Sequence, residues 1–253
     1  MGANWISGAR DVAGKAASRL SALTRLRTLT KGDDLVIQAA HGGSDAALIV
    51  FNSLHAKTAG DTPAEFLATA SNAGERHVIF VTDPLQRWFQ GRGVARRTTK
   101  VISEYLADIG AALQLTLGVS MGGYAAAVFA GRLGARAALC IGAQYDVGPG
   151  SPEKCWKEQR AAIDKFRLGP AGDHLDGSAA ITTIHGGRDS WHSAQFASHP
   201  GVSAWMAPTR KHNVAGLLKD RGLLAPLVHA TAQNDVVGIE GVMRRFNAER
   251  VSA

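Results

Sequence analysis

The stretch Leu115-Thr116-Leu117-Gly118-Val119-Ser120-Met121-Gly122-Gly123-Tyr124-Ala125-Ala126 restricts what this chain can become more than any other. An apolar run stops at a glycine-flanked serine, and an alanine-rich stretch of helical character follows. The pattern reads as strand, turn, helix. Gly118, Ser120 and Gly122 form G-x-S-x-G, and glycine is needed at its two ends because the strand and the helix cross too closely there for side chains. The turn pushes Ser120 out at the carboxyl end of the strand with a helix N-terminus beneath it, a place that favours developing negative charge. The pentapeptide alone is a weak signal. A strand before it and a helix after it are the context that gives it meaning.

The surrounding chain supports a parallel α/β layout. Leu26 to Thr30 and Asp34 to Ala40 flank a Lys31-Gly32-Asp33 turn and predict a hairpin. Ala47 to Phe51, His77 to Thr82, Leu113 to Val119, Ala137 to Gly142, Ala180 to His185 and Val202 to Ala207 are short apolar runs, as strands buried on both faces require. Helical patterns separate them, over 62–73, 95–112, 122–133 and 191–198, and helical segments continue from Asn213 to the end. Repeated β-α units predict a mostly parallel sheet with helices on both faces, and ligands of such sheets sit beyond the carboxyl ends of the strands. Residues 144–178 break the rhythm with Gly148-Pro149-Gly150-Ser151-Pro152 and a polar helix around Cys155 to Phe166, too long for a plain crossover.

With 253 residues, 45% of them hydrophobic, the chain fits one large domain over 26–253. The two cysteines, Cys140 and Cys155, offer neither a disulfide framework nor metal-ligand spacing. With no apolar run near the roughly 20 residues that span a bilayer, the expectation is a soluble cytoplasmic protein without metal or organic cofactor. The net charge of +7 is unevenly placed: residues 1–31 carry Arg10, Lys15, Arg19, Arg25, Arg27 and Lys31 against Asp11 alone. An excess so local argues against nucleic acid as partner. Residues 1–25 read as a basic amphipathic helix that either packs on the domain or touches an anionic membrane or a protein.

A serine hydroxyl attacks only when a base takes its proton, and that base must be held by a further group. Candidates lie at other strand ends. Ile181 to His185 runs into Gly186-Gly187-Arg188-Asp189, and Val202 to Ala207 runs into Pro208-Thr209-Arg210-Lys211-His212-Asn213. Asp189 could instead only cap the helix that follows it. His185 and His192 rival His212 as base, and Asp146 rivals Asp189 as acid. After the strand ending at Thr82, Asp83-Pro84-Leu85-Gln86-Arg87-Trp88-Phe89-Gln90 faces the same rim. There Arg87 could hold a substrate carboxylate or phosphate and Trp88 could line an acyl or sugar site. Core packing of Trp88 and a solvated Arg87 is the alternative. Trp156 and Trp191 are further candidates for the pocket wall.

The serine turn, the order Ser120, Asp189, His212 and the strand count together resemble the α/β-hydrolase superfamily over about residues 26–232. The resemblance implies Ser120 as nucleophile, His212 as base and Asp189 as its orienter, with an acyl-enzyme intermediate. It further implies an oxyanion hole from the backbone N–H of Met121 and a second from Asn52 or Ser53. The His-Gly commonly found in that second loop is absent here, and His41-Gly42-Gly43 is a lower-ranked substitute. Residues 144–178 would be a small cap over the pocket. The function so implied is hydrolysis of a small ester or thioester; acyl transfer by the same residues, or a non-catalytic binding protein of this fold, are the alternatives.

Overall fold

The computed structural model describes residues 26–54 and 66–252; the expected N-terminal helix over 1–25, and residues 62–65 of the helix expected over 62–73, fall outside them, and within 66–73 the helix covers only Leu67–Ala70. A nine-stranded sheet runs through the described chain in the order β1-β2-β4-β3-β5-β6-β7-β8-β9. The hairpin is present: β1 (Leu26–Lys31) and β2 (Val36–Ala40) pair antiparallel, and β2 also runs antiparallel to β4 (His77–Thr82). From β4 onward the sheet is parallel through β3 (Ala46–Phe51), β5 (Ala112–Val119), β6 (Ala137–Ile141), β7 (Ala180–His185) and β8 (Val202–Met206). A short ninth strand, β9 (Glu249–Arg250), closes the edge antiparallel to β8, where the sequence pattern suggested helix to the end.

Helices cover both faces. In chain order they are α1 (Leu67–Ala70), α2 (Val94–Ile109), α3 (Met121–Ala130), α4 (Lys157–Ala161), α5 (Ser190–Ala197), α6 (Val214–Asp220), α7 (Leu224–Ala232) and α8 (Val236–Phe246). Alternation along β3 shows how the strands divide the core: Ile49 and Phe51 join Tyr124 and Phe129 of α3, while Leu48 and Val50 join Leu227 and Val228 of α7 and Met243 of α8. A strand with both faces covered must be apolar at every position, which is why β3 reads Ala-Ala-Leu-Ile-Val-Phe. Every residue of α3 is buried, as expected of a helix that is hydrophobic all round.

The parallel register puts functional loops at one edge. Phe51 pairs with Gly118, Val119 with Ile141, Ile141 with Ile184, and His185 with Met206. The segments after β3, β5, β6, β7 and β8 therefore leave the sheet side by side. The segment 144–178 is mostly irregular, with α4 shorter than the expected Cys155 to Phe166 helix. Arg160 ties it together, donating to the carbonyls of Val147 (2.9 Å), Gly148 (2.8 Å) and Glu153. Its Glu153 carboxylate meets His192 of α5 at 3.1 Å.

Phe51 anchors the layer beneath the rim, with its ring 5.1 Å from that of Phe129 and 5.6 Å from that of Phe89. Removing a fully buried phenyl ring costs about 3–5 kcal/mol. Phe51→Ala is expected to lower stability by that amount in urea unfolding; an unchanged midpoint would contradict the packing described.

Candidate active site

The turn at Ser120 is set by close contact. A Cβ on Gly118 would lie 2.1 Å from the Gly122 carbonyl oxygen, and one on Gly122 would lie 2.0 Å from that of Phe51. Neither position tolerates a side chain. Between them Ser120 takes φ 52° and ψ −119°, a costly conformation for a residue with a side chain and one found where function requires it. Its N–H donates to Ile141 (2.9 Å) and its carbonyl accepts from Tyr124 (3.0 Å), so the residue links β6 to the first turn of α3.

Asp189 and His212 meet at the neighbouring strand ends. The loops after β7 and β8 are zipped together: Gly187 N–H donates to Thr209 (2.7 Å) and Arg188 N–H to Arg210 (3.3 Å), and a Cβ on Gly186 would lie 2.0 Å from the Lys211 carbonyl. His212 Nδ1 then lies 2.8 Å from Asp189 Oδ2. Asp189 makes no side-chain cap to α5, so the capping explanation fails and its carboxylate serves the imidazole. With the Nδ1 proton donated to Asp189, the neutral ring has a bare lone pair on Nε2. That atom is buried without a hydrogen-bond partner. The imidazole rests on Gly142, where φ is +56° and an added Cβ would be 3.4 Å from His212 Cε1. Ile141, which holds the Ser120 N–H, is the residue before.

A third contact was not legible in the sequence. Ser120 Oγ accepts a hydrogen bond from Gln144 Nε2 (3.1 Å), and Gln144 Oε1 accepts one from Trp88 Nε1 (3.1 Å). Ser120 has no hydrogen bond to His212 in this state.

No family model matches the sequence, and no curated protein matches it. Solved structures do. The Glycosylation Associate Protein (Gap123) complex from Streptococcus agalactiae aligns with TM-score 0.56 and 12% identity over 84% of this chain and 47% of that one, so the chain spans about half of that protein's length. Est1E from Butyrivibrio proteoclasticus aligns with TM-score 0.54 and 10% identity over 85% of this chain and 99% of that one. Those matches join the parallel sheet, the tight Gly-Ser-Gly turn and the strand order. The chain has the α/β-hydrolase fold.

Other expected residues fare differently within this α/β-hydrolase fold. Met121 opens α3, where the first N–H groups have no partner in the helix. Asn52 is a correction. Its backbone N–H donates to Val81 (2.9 Å) and its side-chain Nδ2 to Thr82 Oγ1 (2.7 Å), because the pairing of β3 with β4 continues one residue past Phe51. Ser53, the next residue, is half-buried. His41-Gly42-Gly43 lies at the amino end of β4, where Gly42 N–H donates to His77 Nδ1 (3.1 Å), at the opposite edge from Ser120. Trp88 is another correction: it is fully buried, so it does not line a pocket, and its indole N–H is used by Gln144. Arg87 is half-buried, and Asp83, close to it, helps hold the loop. Trp156, in the segment 144–178, sits with its ring 6.2 Å from that of His212. Trp191 packs edge-on to Tyr145. Asp146 is used in a turn, accepting from Gly148 N–H (2.8 Å). Among the described residues no cluster of His, Cys, Asp or Glu could hold a metal, and no helix is long and apolar enough to cross a membrane.

His185 is wholly buried, its Nε2–H donating to the Ala143 carbonyl (2.9 Å), and burial pushes its pKa down to about 4. The unfolded chain, with an ordinary imidazole near 6.5, therefore binds more protons between those values. The neutral ring's contribution is complete above about pH 6.5 and is lost as pH falls toward 4, about 3 kcal/mol over the whole interval. Urea unfolding across pH 4 to 7 should show stability falling with acid, with a shallower slope in His185→Gln. An equal slope in both would remove His185 as the cause.

Proposed function

We propose that the protein is a serine hydrolase that cleaves a carboxylic ester or thioester through an acyl-enzyme on Ser120. The observation that carries this is the His212–Asp189 contact of 2.8 Å, which leaves a buried, unpartnered Nε2 lone pair on a ring seated against Gly142, the residue after the one that accepts the Ser120 N–H. A buried acceptor left unmade costs about 1–3 kcal/mol, a cost that a base poised for a proton carries until the proton arrives.

In this reading Ser120 rotates its hydroxyl toward His212. Oγ attacks the substrate carbonyl carbon while Nε2 takes its proton, and the carbonyl π electrons move to oxygen. The Met121 N–H, at the positive end of α3, stabilises that oxyanion, with Ser53 as the second candidate donor. Collapse expels the alcohol or thiol, which leaves with the proton from His212. Water then attacks the acyl-enzyme with His212 as base, the C–Oγ bond breaks, and the imidazolium returns a proton to Ser120. Asp189 keeps the tautomer and supports the imidazolium. Trp156 forms the cap wall over His212, on the substrate side. An alcohol or amine in place of that water would make the product an acyl-transfer product.

Wild-type protein should label with a fluorophosphonate probe and turn over p-nitrophenyl esters, Ser120→Ala should do neither, and His212→Ala or Asp189→Asn should lower turnover by about 10³-fold or more. Product analysis with and without added alcohol separates hydrolysis from transfer. Labelling that persists in Ser120→Ala would refute the assignment.

A further inference from the structure

The loop 83–90 is built against its own backbone preferences. Gln86, Trp88 and Phe89 have φ of 53°, 52° and 59°, in the region that residues with side chains avoid. One buried carboxylate holds all of it: Asp83 accepts the N–H groups of Leu85 (3.1 Å), Arg87 (2.7 Å) and Phe89 (2.9 Å). Strain maintained in this way usually positions something. What it positions here is the Trp88 indole, turned inward so that Nε1–H reaches Gln144 Oε1 at 3.1 Å.

That bond decides which way the Gln144 amide faces. Reversed, the amide would set its NH₂ against the indole N–H, donor against donor, in a fully buried place. The nitrogen must therefore face Ser120, and it lies 3.1 Å from Oγ. A serine hydroxyl has one hydrogen to give and accepts through lone pairs. Gln144 fills one acceptor direction and cannot receive the hydrogen, since Nε2 has no lone pair to offer. The proton is left for the unpartnered Nε2 of His212.

We infer that the Trp88–Gln144 pair is a positioning device for Ser120, keeping its proton available to His212 and donating to Oγ as negative charge develops there. The inference rests on Ser120 being the nucleophile. Its effect falls on both steps in which Oγ carries partial negative charge, as the proton passes to His212 during attack and as the C–Oγ bond breaks before the proton returns; the Gln144 N–H is then a donor to a partly anionic oxygen, a stronger bond than to a neutral one. Gln144 touches no substrate in this account and acts through Ser120 alone.

The test uses the full chain, a fluorophosphonate probe and a p-nitrophenyl ester. Gln144→Leu should slow labelling and kcat by about 10- to 100-fold, with KM within about twofold of wild type, as loss of a transition-state interaction requires. Trp88→Phe, which keeps a ring but loses the indole N–H, should slow both to a smaller degree, and the double variant should be no slower than Gln144→Leu, because the two act as one unit. Gln144→Glu supplies the readout that a packing role would not move: the introduced carboxyl can donate to Oγ only when protonated, so its labelling rate relative to wild type should rise as pH is lowered from 8 to 6. A flat ratio, or a folded Gln144→Leu labelled as fast as wild type, overturns the inference while leaving Ser120 as nucleophile. If Gln144→Leu does not fold, Trp88→Phe decides, and an unchanged kcat there overturns it. A wild type that does not label at Ser120 overturns this inference and the proposed function together.

Discussion

The approach of α3 to β5 and β3 is the constraint on which the rest depends. Two backbone carbonyls, those of Gly122 and Phe51, occupy the space that side chains on Gly118 and Gly122 would need. Because the chain cannot relax there, Ser120 is forced to a positive φ and out of the sheet. The cost is local and the compensation is distributed: a wholly buried α3, stacked phenyl rings under the turn, and strands apolar on both faces. A strained turn of this kind persists only where the surroundings over-determine it, and here the helix, the neighbouring strand and Ile141 all contribute to its fixation.

The same economy recurs at the other strand ends. Gly186 has no room for a side chain because the Lys211 backbone crosses it, and Gly142 bends to accept the His212 ring. The Asp189–His212 contact therefore follows from backbone hydrogen bonds between two loops rather than from the two side chains finding each other. The loop 83–90 differs in using a carboxylate, Asp83, where the other two use glycines. Burial raises the pKa of that carboxyl even though three N–H groups and Arg87 oppose the shift. A group with so much invested in one loop ties Trp88 to a single orientation.

What could be read beforehand was whatever repeats locally. The hairpin, the six parallel strands and the serine turn all have periodicity or glycine spacing that a single segment displays, and Ser120, Asp189 and His212 each follow such a segment. What could not be read depends on the end of a ladder or on contact between distant side chains. Asn52 looks like a loop residue, yet the pairing of β3 with β4 runs one position further and uses its N–H. β9 is two residues long and exists only because the chain after α8 returns to β8. Trp88 has the look of a pocket aromatic, and only the positive φ values reveal that it turns inward. Gln144 carried one legible signal, its place just beyond β6 on the same rim as Ser120, but glutamine has no titration and no motif to attract notice.

Three histidines gather near this rim, and their partners separate them. His192 has both nitrogens engaged, Nδ1 accepting from Tyr145 N–H (3.0 Å) and Nε2 facing Glu153 (3.1 Å); that contact holds the Glu153 carboxyl down at about 2 and pins the cap to α5. His185 donates to a carbonyl and leaves Nδ1 unpartnered, but it is fully enclosed and burial holds it neutral. His212 combines a carboxylate on one nitrogen with an open valence on the other, and its side chain is 22% exposed. Of the three, it alone has the partners that the proposed base requires, a carboxylate to support the charged ring and a free nitrogen to hold a proton. Trp156, with its ring 6.2 Å from that imidazole, ties the segment 144–178 to the same ring, so the exposure of His212 depends on how that segment is held.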